Sequence, residues 1–408
     1  MISFVRSNAR WLAGGFLLTF LSSFGQTFFI ALSAGELRAA FDLSHGQFGG
    51  LYMLATLASA ATLPFLGRIV DVASVRVTLL LIVPALAAAC LGMAFVPSVL
   101  ALGLVIYALR LFGQGMMTHT ALTAMGRWYA AQRGKAVSLV ALGHQAGEMA
   151  LPPLVAWLFL SGADWRALWV GCAAFLIVIG LPTATALMAV ERSPEGTSAQ
   201  GPNAARHWTR GEVLRDPAFW VMMSGVLAPA FIGTTVFFHT VYLVELRGWS
   251  PVAFAFGFTI MGAFTVLSGL LTGLAIDRFG SLRVLPTFTA FLAAACAMLG
   301  LVEAEWAIAA FFTLLGLSYG MSQTLFGALW PEVYGTRHLG AIRSTVVAMM
   351  VFATAAGPGI TGALIDRGVG LPTQLLGMAL YCAAIGVVLF AVSKALRARD
   401  IAMTLPAG

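Results

Sequence analysis

The chain has 408 residues, of which 60% are hydrophobic and only 10% are charged. A soluble domain of this length cannot bury so much apolar surface, so the composition excludes a soluble globular fold and indicates an all-α integral membrane protein. The net charge is +7, but the basic residues form neither a run nor a basic–aromatic stripe. This distribution excludes a nucleic-acid-binding protein and leaves the lipid bilayer as the expected surroundings.

Twelve apolar stretches are each long enough to cross a bilayer, which takes about 20 residues. We number them spans 1 to 12, and they cover 10–32, 46–67, 76–96, 98–125, 134–160, 166–189, 217–246, 252–273, 283–303, 305–330, 340–366 and 372–395. One connection, 190–216, is long and polar. The pattern predicts an N-terminal six-helix bundle over 1–189, a cytoplasmic linker over 190–216 and a C-terminal six-helix bundle over 217–408.

The two predicted bundles repeat each other in sequence. "ALAAACLGM" at 85–93 and "FLAAACAML" at 291–299 lie 206 positions apart, and Asp71 and Asp277 share that offset. "ELR" occurs at 36–38 and again at 245–247, at the exits of spans 1 and 7. Matches that keep the same order indicate a duplicated chain with pseudo-two-fold symmetry.

The distribution of basic residues predicts the orientation in the membrane. Most of the 23 lysines and arginines fall on the side of the N-terminus. Those predicted on the opposite side are Arg38, Arg166, Arg247 and Arg367. The positive-inside rule therefore predicts a multi-pass protein of the plasma (inner) membrane with both termini cytoplasmic.

Cofactor chemistry has no sequence signature in this chain. The cysteines lie singly inside apolar stretches, without a CxxC pair, and are predicted to be buried free thiols: Cys90, Cys172, Cys296 and Cys382. No phosphate-binding loop, metal-ligand cluster or nucleophile elbow is present in the sequence. We therefore expect no cofactor, no metal site, no enzymatic activity and no ATP-driven pump.

Two charged residues, Arg110 and Glu148, lie near the middle of predicted spans. Each is about twelve residues from the outer end of its span, Arg110 in span 4 and Glu148 in span 5. A charge in the membrane is costly unless it finds a partner or water, so both are candidates for function. Their similar depth predicts a pair.

The predicted pair has several interpretations. Arg110 can bind an anionic substrate, because a guanidinium fork matches a carboxylate. Glu148 can carry a coupling proton, or the pair can do both by exchange. The structural alternative is a permanent ion pair between spans 4 and 5.

Polar neighbours of these charges are secondary candidates. Gln114 lies one turn from Arg110, and His144 lies one turn from Glu148, where it can tune or share the proton. His239, near the outer end of span 7, can line the mouth of a cavity. The alternative for either histidine is a hydrogen-bonded packing residue.

The loop after span 2 and its copy carry a family resemblance. "GRIVDVASVR" at 67–76 and "GLAIDRFGSLR" at 273–283 resemble the loop signature of the major facilitator superfamily, as do the twelve spans and their duplication. The resemblance implies the major facilitator fold. It also implies a gating role for six residues: Gly67, Asp71, Arg76, Gly273, Asp277 and Arg278. It assigns Asp71 to a latch between the bundles in one state of alternating access. The alternative is that Asp71 only caps a helix end.

Two cytoplasmic stretches resemble one branch of that superfamily. "RWYAAQRGKAVSLVALG" at 127–143 and "TRGEVLRDPAFW" at 209–220 resemble the monocarboxylate transporters and oxalate/formate exchangers. In that branch the resemblance places substrate-binding charges in spans 1, 8 or 11. The middles of those spans are uncharged here. A carboxylate substrate therefore does not follow from the resemblance alone.

The resemblance also implies that spans 1, 4, 7 and 10 line a central cavity. Their polar and aromatic residues at middle depth are Gln26, Phe28, Thr234, Thr235, Phe238, Tyr319, Ser322 and Gln323. Together they predict a mixed apolar and hydrogen-bonding cavity suited to a small organic solute, although each alone is equally compatible with helix packing.

These features favour a monomeric secondary transporter that moves a small organic anion, such as a carboxylate, as a proton symporter. An exporter of amphipathic or hydrophobic compounds is the first alternative, because the expected cavity has few charges. Drug–proton antiporters of the superfamily carry a Gly-Pro pair in span 5, which this span lacks. A non-transporting membrane sensor on the same scaffold is the alternative from another functional class.

Overall fold

A computed structural model describes residues 2–129, 132–192, 208–335 and 337–404, with side chains except those of Ile2, Ser3, Asp71, Arg133 and 400–404. All regular secondary structure within these residues is helical, which confirms the predicted all-α class. The middle of the predicted linker, 193–207, lies outside the described residues.

Twelve helical spans follow one another along the described chain. Spans 2, 3 and 5 are His45–Leu66, Val75–Ala94 and Arg133–Leu160, and spans 7 to 12 are Pro217–Phe238, Pro251–Phe279, Thr287–Leu301, Ala307–Tyr334, Leu339–Asp366 and Leu371–Thr404. Three spans are interrupted. Span 1 consists of Ile2–Leu21, the 3-10 turn Ser22–Gly25 and Thr27–Ala31; span 4 of Val99–Leu109, the π-helix Arg110–Met117 and Thr118–Trp128; and span 6 of Trp165–Phe175, the π-helix Leu176–Gly180 and Leu181–Leu187.

Short helices extend or connect these spans. They are Ala34–Phe41, Ile69–Val72, Arg210–Arg215, Thr240–Arg247 and Ser281–Val284. Eleven helices of the described chain are long and apolar enough to cross a membrane. Span 5 is not among them, although it has 28 residues, because His144, Gln145 and Glu148 lower the hydropathy of its centre.

The described residues divide into two compact units by their contacts. The first lies within Met1–Ala199 together with Phe237–Tyr242, and the second within Gln200–Val236 together with Leu243–Gly408. We call them the first unit and the second unit.

Span 1 breaks in the middle because its residues favour local hydrogen bonds over a continuous helix. The hydroxyl of Ser22 donates to the carbonyl of Thr19 at 2.6 Å, and Gln26 adopts an extended conformation with ψ 155°. Serine side chains that bond nearby backbone carbonyls weaken the helical pattern. The break leaves backbone groups that must find partners elsewhere, because lipid offers none.

Span 4 meets this break through two glycines. A methyl group placed on Gly25 would lie 2.0 Å from the carbonyl oxygen of Leu109, and one on Gly113 would lie 2.6 Å from the Cα of Gly25. No side chain fits at either position, so the broken segment of span 1 lies directly on the π-helix of span 4.

Span 5 packs on span 1 through glycines as well. A methyl group on Gly143 would lie 2.0 Å from the carbonyl oxygen of Phe16, and one on Gly147 would lie 2.0 Å from the hydroxyl of Ser23. Small residues four apart let two helices approach closely in a membrane. This contact brings the polar centre of span 5 to the break in span 1.

Each unit carries the same polar cluster near the start of its first span. In the first unit, Tyr129 donates to the side-chain oxygen of Asn8 at 3.2 Å, and Arg192 donates to that same oxygen. In the second unit, the phenol of Tyr334 and the guanidinium of Arg399 both bond a carboxylate oxygen of Asp216, at 3.1 and 3.0 Å. The two clusters repeat at nearly constant offset, as the duplication predicts. The four cysteines are buried and free, which confirms that prediction.

Span 7 contacts span 10 at a tyrosine and span 11 at a glycine. A methyl group on Gly233 would lie 1.5 Å from the phenolic oxygen of Tyr319, which donates to the carbonyl of Pro229 at 3.2 Å. One on Gly357 would lie 2.7 Å from the hydroxyl of Thr235. Both contacts lie within the second unit.

Candidate functional site

Arg110 is the first residue of the π-helix in span 4 and is only 1% exposed. Its Nη1 donates to the carbonyl of Gly25 and to the hydroxyl of Thr27, both at 3.3 Å, which is long for such bonds. Its Nε and Nη2 are buried and have no hydrogen-bond partner among the described residues. One edge of the guanidinium is therefore loosely attached to the broken segment of span 1, and the other edge is unpaired.

Thr27 and Tyr52 complete the surroundings of Arg110. Their hydroxyl oxygens are 2.6 Å apart, and the Arg110 Cζ lies 5.4 Å from the centre of the Tyr52 ring, within cation–π range. Both side chains are buried. The sequence does not single them out, because Thr27 lies in an apolar run and Tyr52 resembles a packing residue of span 2. The feature that could have pointed to them is Arg110 itself, because a buried arginine requires hydrogen-bonding partners.

Glu148 is 5% exposed and lies next to Gly147, where span 5 contacts Ser23. In the described part of the chain it forms no hydrogen bond and no ion pair, and it does not lie within 4 Å of Arg110. The predicted Arg110–Glu148 pair is therefore wrong for this structure. The break in span 1 supplies a carbonyl and a hydroxyl to the Nη1 of Arg110, and the carboxylate of Glu148 does not reach the other two nitrogens.

His144 lies half-buried one turn before Glu148. Its ring centre is 6.3 Å from that of Phe28, and its Nδ1 is buried without a partner among the described residues. The Oε1 of Gln145 is in the same state. Unsatisfied buried polar atoms are uncommon in folded proteins, and these two lie on neighbouring residues of span 5, within one turn of Glu148.

The remaining candidates of the first unit lie around the same break. Gln26 is its extended residue, Phe28 is buried just beyond it, and Gln114 lies half-buried in the π-helix. Phe238 and His239 belong to the segment that groups with the first unit. The Phe238 ring lies 4.7 Å from that of Tyr52, and His239 is 3% exposed.

The candidates of the second unit are uncharged and are brought together only in part. Thr234 donates to the carbonyl of its own helix at Ala230, and Ser322 does the same at Tyr319. The hydroxyl of Thr235 is buried without a partner among the described residues, whereas Gln323 is exposed. Tyr319 alone connects two spans through its bond to Pro229.

Two residues of span 4 contact the first of the two predicted gating loops. A methyl group on Gly67 would lie 3.2 Å from the Nε2 of His119, and the guanidinium of Arg127 donates to the carbonyl of Val70 at 3.1 Å. Asp71 lies in the short helix Ile69–Val72, but its side chain is outside the described part. Arg76 is exposed.

The second gating loop has a different conformation. Span 8 continues as a helix through Gly273 and Asp277 as far as Phe279, so this copy of the motif is helical rather than a loop. Asp277 and Arg278 are exposed. Gly280 then turns the chain with φ +82°, and the carboxylate of Glu332 accepts a hydrogen bond from the backbone of Ser281 at 2.9 Å.

The arrangement in the first unit can bind an anion. A buried guanidinium with two unpaired nitrogens offers parallel donors to a planar oxyanion. The nearby acid of span 5 can exchange a proton, since it has no fixed counter-charge. No group of three or more metal-ligating side chains occurs among the described residues.

Comparisons with known proteins agree with this architecture. The family model of the Major Facilitator Superfamily matches residues 15–344. An oxalate:formate antiporter from Oxalobacter formigenes is 23% identical over 330 residues, covering 80% of this chain and 77% of the relative.

Two solved structures share the fold at low sequence identity. A bacterial homologue of the human lysosomal transporter Spinster is 15% identical, with a TM-score of 0.70 over 98% of this chain and 99% of that one. The nucleoside transporter NupG is also 15% identical, with a TM-score of 0.66 over 94% and 98%. Both confirm the fold that the sequence predicts. The chain is a multi-pass membrane protein that belongs to the Major Facilitator Superfamily of transporters.

Proposed function

We propose that this protein is a secondary active transporter of a small organic anion, a carboxylate, which it moves through the plasma (inner) membrane by alternating access together with a proton. It acts as a monomer and not as an enzyme, and both termini are cytoplasmic. Arg110 is the anion-binding residue and Glu148 the proton-carrying residue. His144, Gln114, Gln26 and Phe28 line the site.

The observation that carries this proposal is the unpaired edge of Arg110. Leaving a buried charged donor without an acceptor costs about 1–3 kcal/mol or more, so an acceptor that reaches the free nitrogens of Arg110 is favoured. Nε and Nη2 lack acceptors among the described residues. A substrate carboxylate that binds them satisfies both donors in the loaded state.

Proton coupling is supported by the contact that Gly147, the residue before Glu148, makes with the same break. Span 5 touches Ser23 at Gly147, and Arg110 bonds Gly25 and Thr27 two and four residues further on. In this proposal, a change in charge at Glu148, next to that contact, and the arrival of an anion at Arg110 both act on one segment of span 1. This shared segment is the physical link between proton and substrate.

The curated relative supports a carboxylate as substrate. Its name gives oxalate and formate as the compounds it exchanges, and both are carboxylates. This chain is only 23% identical to it, so we carry over the chemical class and not the two compounds. The unpaired guanidinium edge is the feature of this chain that fits that class.

The gating loops complete the proposed cycle. Gly67, Asp71 and Arg76 in the first loop, and Gly273, Asp277 and Arg278 in the second, stabilise one of the alternating states. The hydrogen bond from Arg127 to the backbone of Val70 supports this role for the first loop, because it fixes the short helix that carries Asp71.

The proposal is tested with purified protein in proteoliposomes that carry an inward proton gradient, using radiolabelled formate, acetate and oxalate. We expect gradient-driven uptake of at least one carboxylate. Glu148→Gln should abolish uptake driven by the gradient but retain exchange of substrate at equal pH. Arg110→Lys should raise KM roughly tenfold or more, since it removes the bidentate contact with the substrate carboxylate.

Exposed residues supply the matched controls. Glu245→Gln and Arg166→Lys make the same chemical changes on exposed side chains and should leave both parameters unchanged. If Glu148→Gln retains gradient-driven uptake, proton coupling through Glu148 is refuted. If Arg110→Lys changes neither KM nor maximal rate, Arg110 does not bind the substrate.

Export of amphipathic compounds is the second candidate function, favoured by the second unit. The candidate residues of this unit, Thr234, Thr235, Tyr319 and Gln323, are uncharged. Phe238 and His239, which group with the first unit, also carry no fixed charge. Efflux of a hydrophobic dye from loaded proteoliposomes, without any carboxylate uptake, would support this candidate over the first.

A further inference from the structure

We infer that Thr27 and Tyr52 are positioning residues that set the orientation of the Arg110 guanidinium and so decide which oxyanion its free edge accepts. This inference rests on the proposed function, because it concerns the same anion site. Neither residue carries a charge, and neither is needed to contact the substrate.

The geometry divides the guanidinium into two edges. Nη1 is engaged by the carbonyl of Gly25 and the hydroxyl of Thr27, whereas Nε and Nη2 are buried and unpaired among the described residues. A guanidinium is planar and rigid, so fixing one nitrogen from two directions also fixes the plane in which the other two point. The remaining edge presents two parallel donors at the spacing of a carboxylate.

Tyr52 controls the hydroxyl of Thr27. The two oxygens lie 2.6 Å apart, and the Thr27 oxygen already accepts from Arg110 at 3.3 Å. The hydrogen of Thr27 is therefore directed away from the arginine, and the Thr27 and Tyr52 hydroxyls share one hydrogen bond in which either oxygen can be the donor. The ring of Tyr52 also lies 5.4 Å from Cζ, so its electron-rich face limits how far the guanidinium can tilt.

The orientation of the Arg110 guanidinium also depends on the conformation of span 1. Thr27 is the first residue of the helix after the break, and Gly25 is the last residue before it. A rearrangement of the extended residue Gln26 separates these two acceptors and turns the free edge of Arg110. Orientation of the anion site and conformation of the break are therefore one variable.

The test compares a planar and a tetrahedral monoanion of similar size, acetate and methanesulfonate. Thermal stabilisation of the purified protein gives the apparent Kd of each, and proteoliposome uptake gives KM and maximal rate. Wild-type protein should favour acetate. Thr27→Val, which keeps the shape and removes the acceptor, should lower the acetate preference about tenfold, mainly through Kd and KM. Tyr52→Phe should act in the same direction by a smaller factor.

Two further variants separate positioning from mere structure. Thr27→Ser restores the hydroxyl and should restore the preference. Tyr107→Phe is the matched control, because the phenol of Tyr107 donates to the hydroxyl of Thr62 at 3.1 Å in the same unit without an arginine partner. It should leave the preference unchanged.

The outcomes are distinct. An unchanged acetate preference in Thr27→Val, with acetate still bound by the wild type, overturns this inference and leaves the proposed function standing. A loss that Thr27→Ser does not restore also overturns it. Absence of binding of any carboxylate by the wild-type protein contradicts the proposed function itself, and this inference with it.

Discussion

The two units make the same helix contact from different residues. In the first unit, span 1 meets span 4 through Gly25 and Gly113, whose backbones touch. In the second unit the equivalent positions, shifted by 208 and 206 residues, are Gly233 and Tyr319. A backbone contact in one unit thus corresponds to a side-chain contact in the other.

The difference shows how a duplicated scaffold can acquire a charged site in one copy only. Bare glycines bring span 4 close enough for Arg110 to reach the broken backbone of span 1. In the second unit, the Tyr319 ring fills the corresponding space and its phenol satisfies a carbonyl of span 7. The phenol is thus hydrogen-bonded within the second unit, whereas in the first unit two nitrogens of Arg110 have no partner among the described residues.

Alanine at the two matched glycines gives the largest effect and the sharpest contrast. Gly25→Ala should destabilise the protein by about 3 kcal/mol, because its methyl group meets the backbone of Leu109, which cannot move away. Gly233→Ala should also destabilise, but its obstacle is the Tyr319 side chain, so adding Tyr319→Leu should restore stability. The apparent Tm in detergent measures both.

Gly126→Ala serves as the control for this pair, since no atom of a neighbouring segment lies within 4 Å of the added methyl group. We expect no loss of Tm there. A Gly25→Ala protein as stable as the wild type would remove the basis of the comparison. So would a Gly233→Ala protein that Tyr319→Leu fails to restore.

The paired polar clusters give an effect of intermediate size. Asp216→Asn keeps the side-chain oxygen that accepts from the backbone of Ala218 at 3.0 Å but removes the charge beside Arg399. The expected loss is about 1–2 kcal/mol, and it should shrink at high salt. Asn8→Asp adds the missing charge beside Arg192 but removes the hydrogen bond from the Asn8 amide to the carbonyl of Phe4 at 2.8 Å, so the expected gain is below about 1 kcal/mol.

Thermal unfolding at low and high ionic strength measures both changes. A lowered Tm in Asp216→Asn together with a raised Tm in Asn8→Asp would show that the two clusters are equivalent in geometry and differ only in charge. If Asn8→Asp lowers the Tm, the first cluster does not accept an acid, and the equivalence fails.

Thr235→Val should have the smallest effect. The Thr235 hydroxyl is buried without a partner in the described part of the chain, so its removal costs no hydrogen bond. We expect a gain of up to about 1 kcal/mol, seen as a slightly raised Tm. A clearly lowered Tm would mean that the Thr235 hydroxyl forms a hydrogen bond in the folded protein. The second unit would then contain a further polar contact.

Hydropathy and duplication were enough to predict the twelve spans and the helical class, and the family followed from the resemblance of the loops at 67–76 and 273–283. These features depend on composition and on repetition along the chain, both of which are visible in one sequence. Arg110 and Glu148 were also visible, because a charge stands out in an apolar stretch.

The partners of these charges could not be predicted in the same way. Similar depth suggested that Arg110 and Glu148 meet, but depth does not fix which face of a helix points where. The break at Gln26 decides the outcome, and the local hydrogen bonds that accompany it are not visible in the sequence. Tyr52 becomes significant only when its ring is found beside a buried guanidinium.

The π-helix of span 4 lies in a stretch where the sequence offset between the two repeats changes. A π turn holds one residue more than an α turn, so it corresponds to a single-residue insertion. Before it, Cys90 and Cys296 lie 206 positions apart, and after it Tyr129 and Tyr334 lie 205 apart, while span 10 is α-helical throughout. The repeats thus change register by one residue between these pairs, in the stretch that contains the π-helix of the first copy.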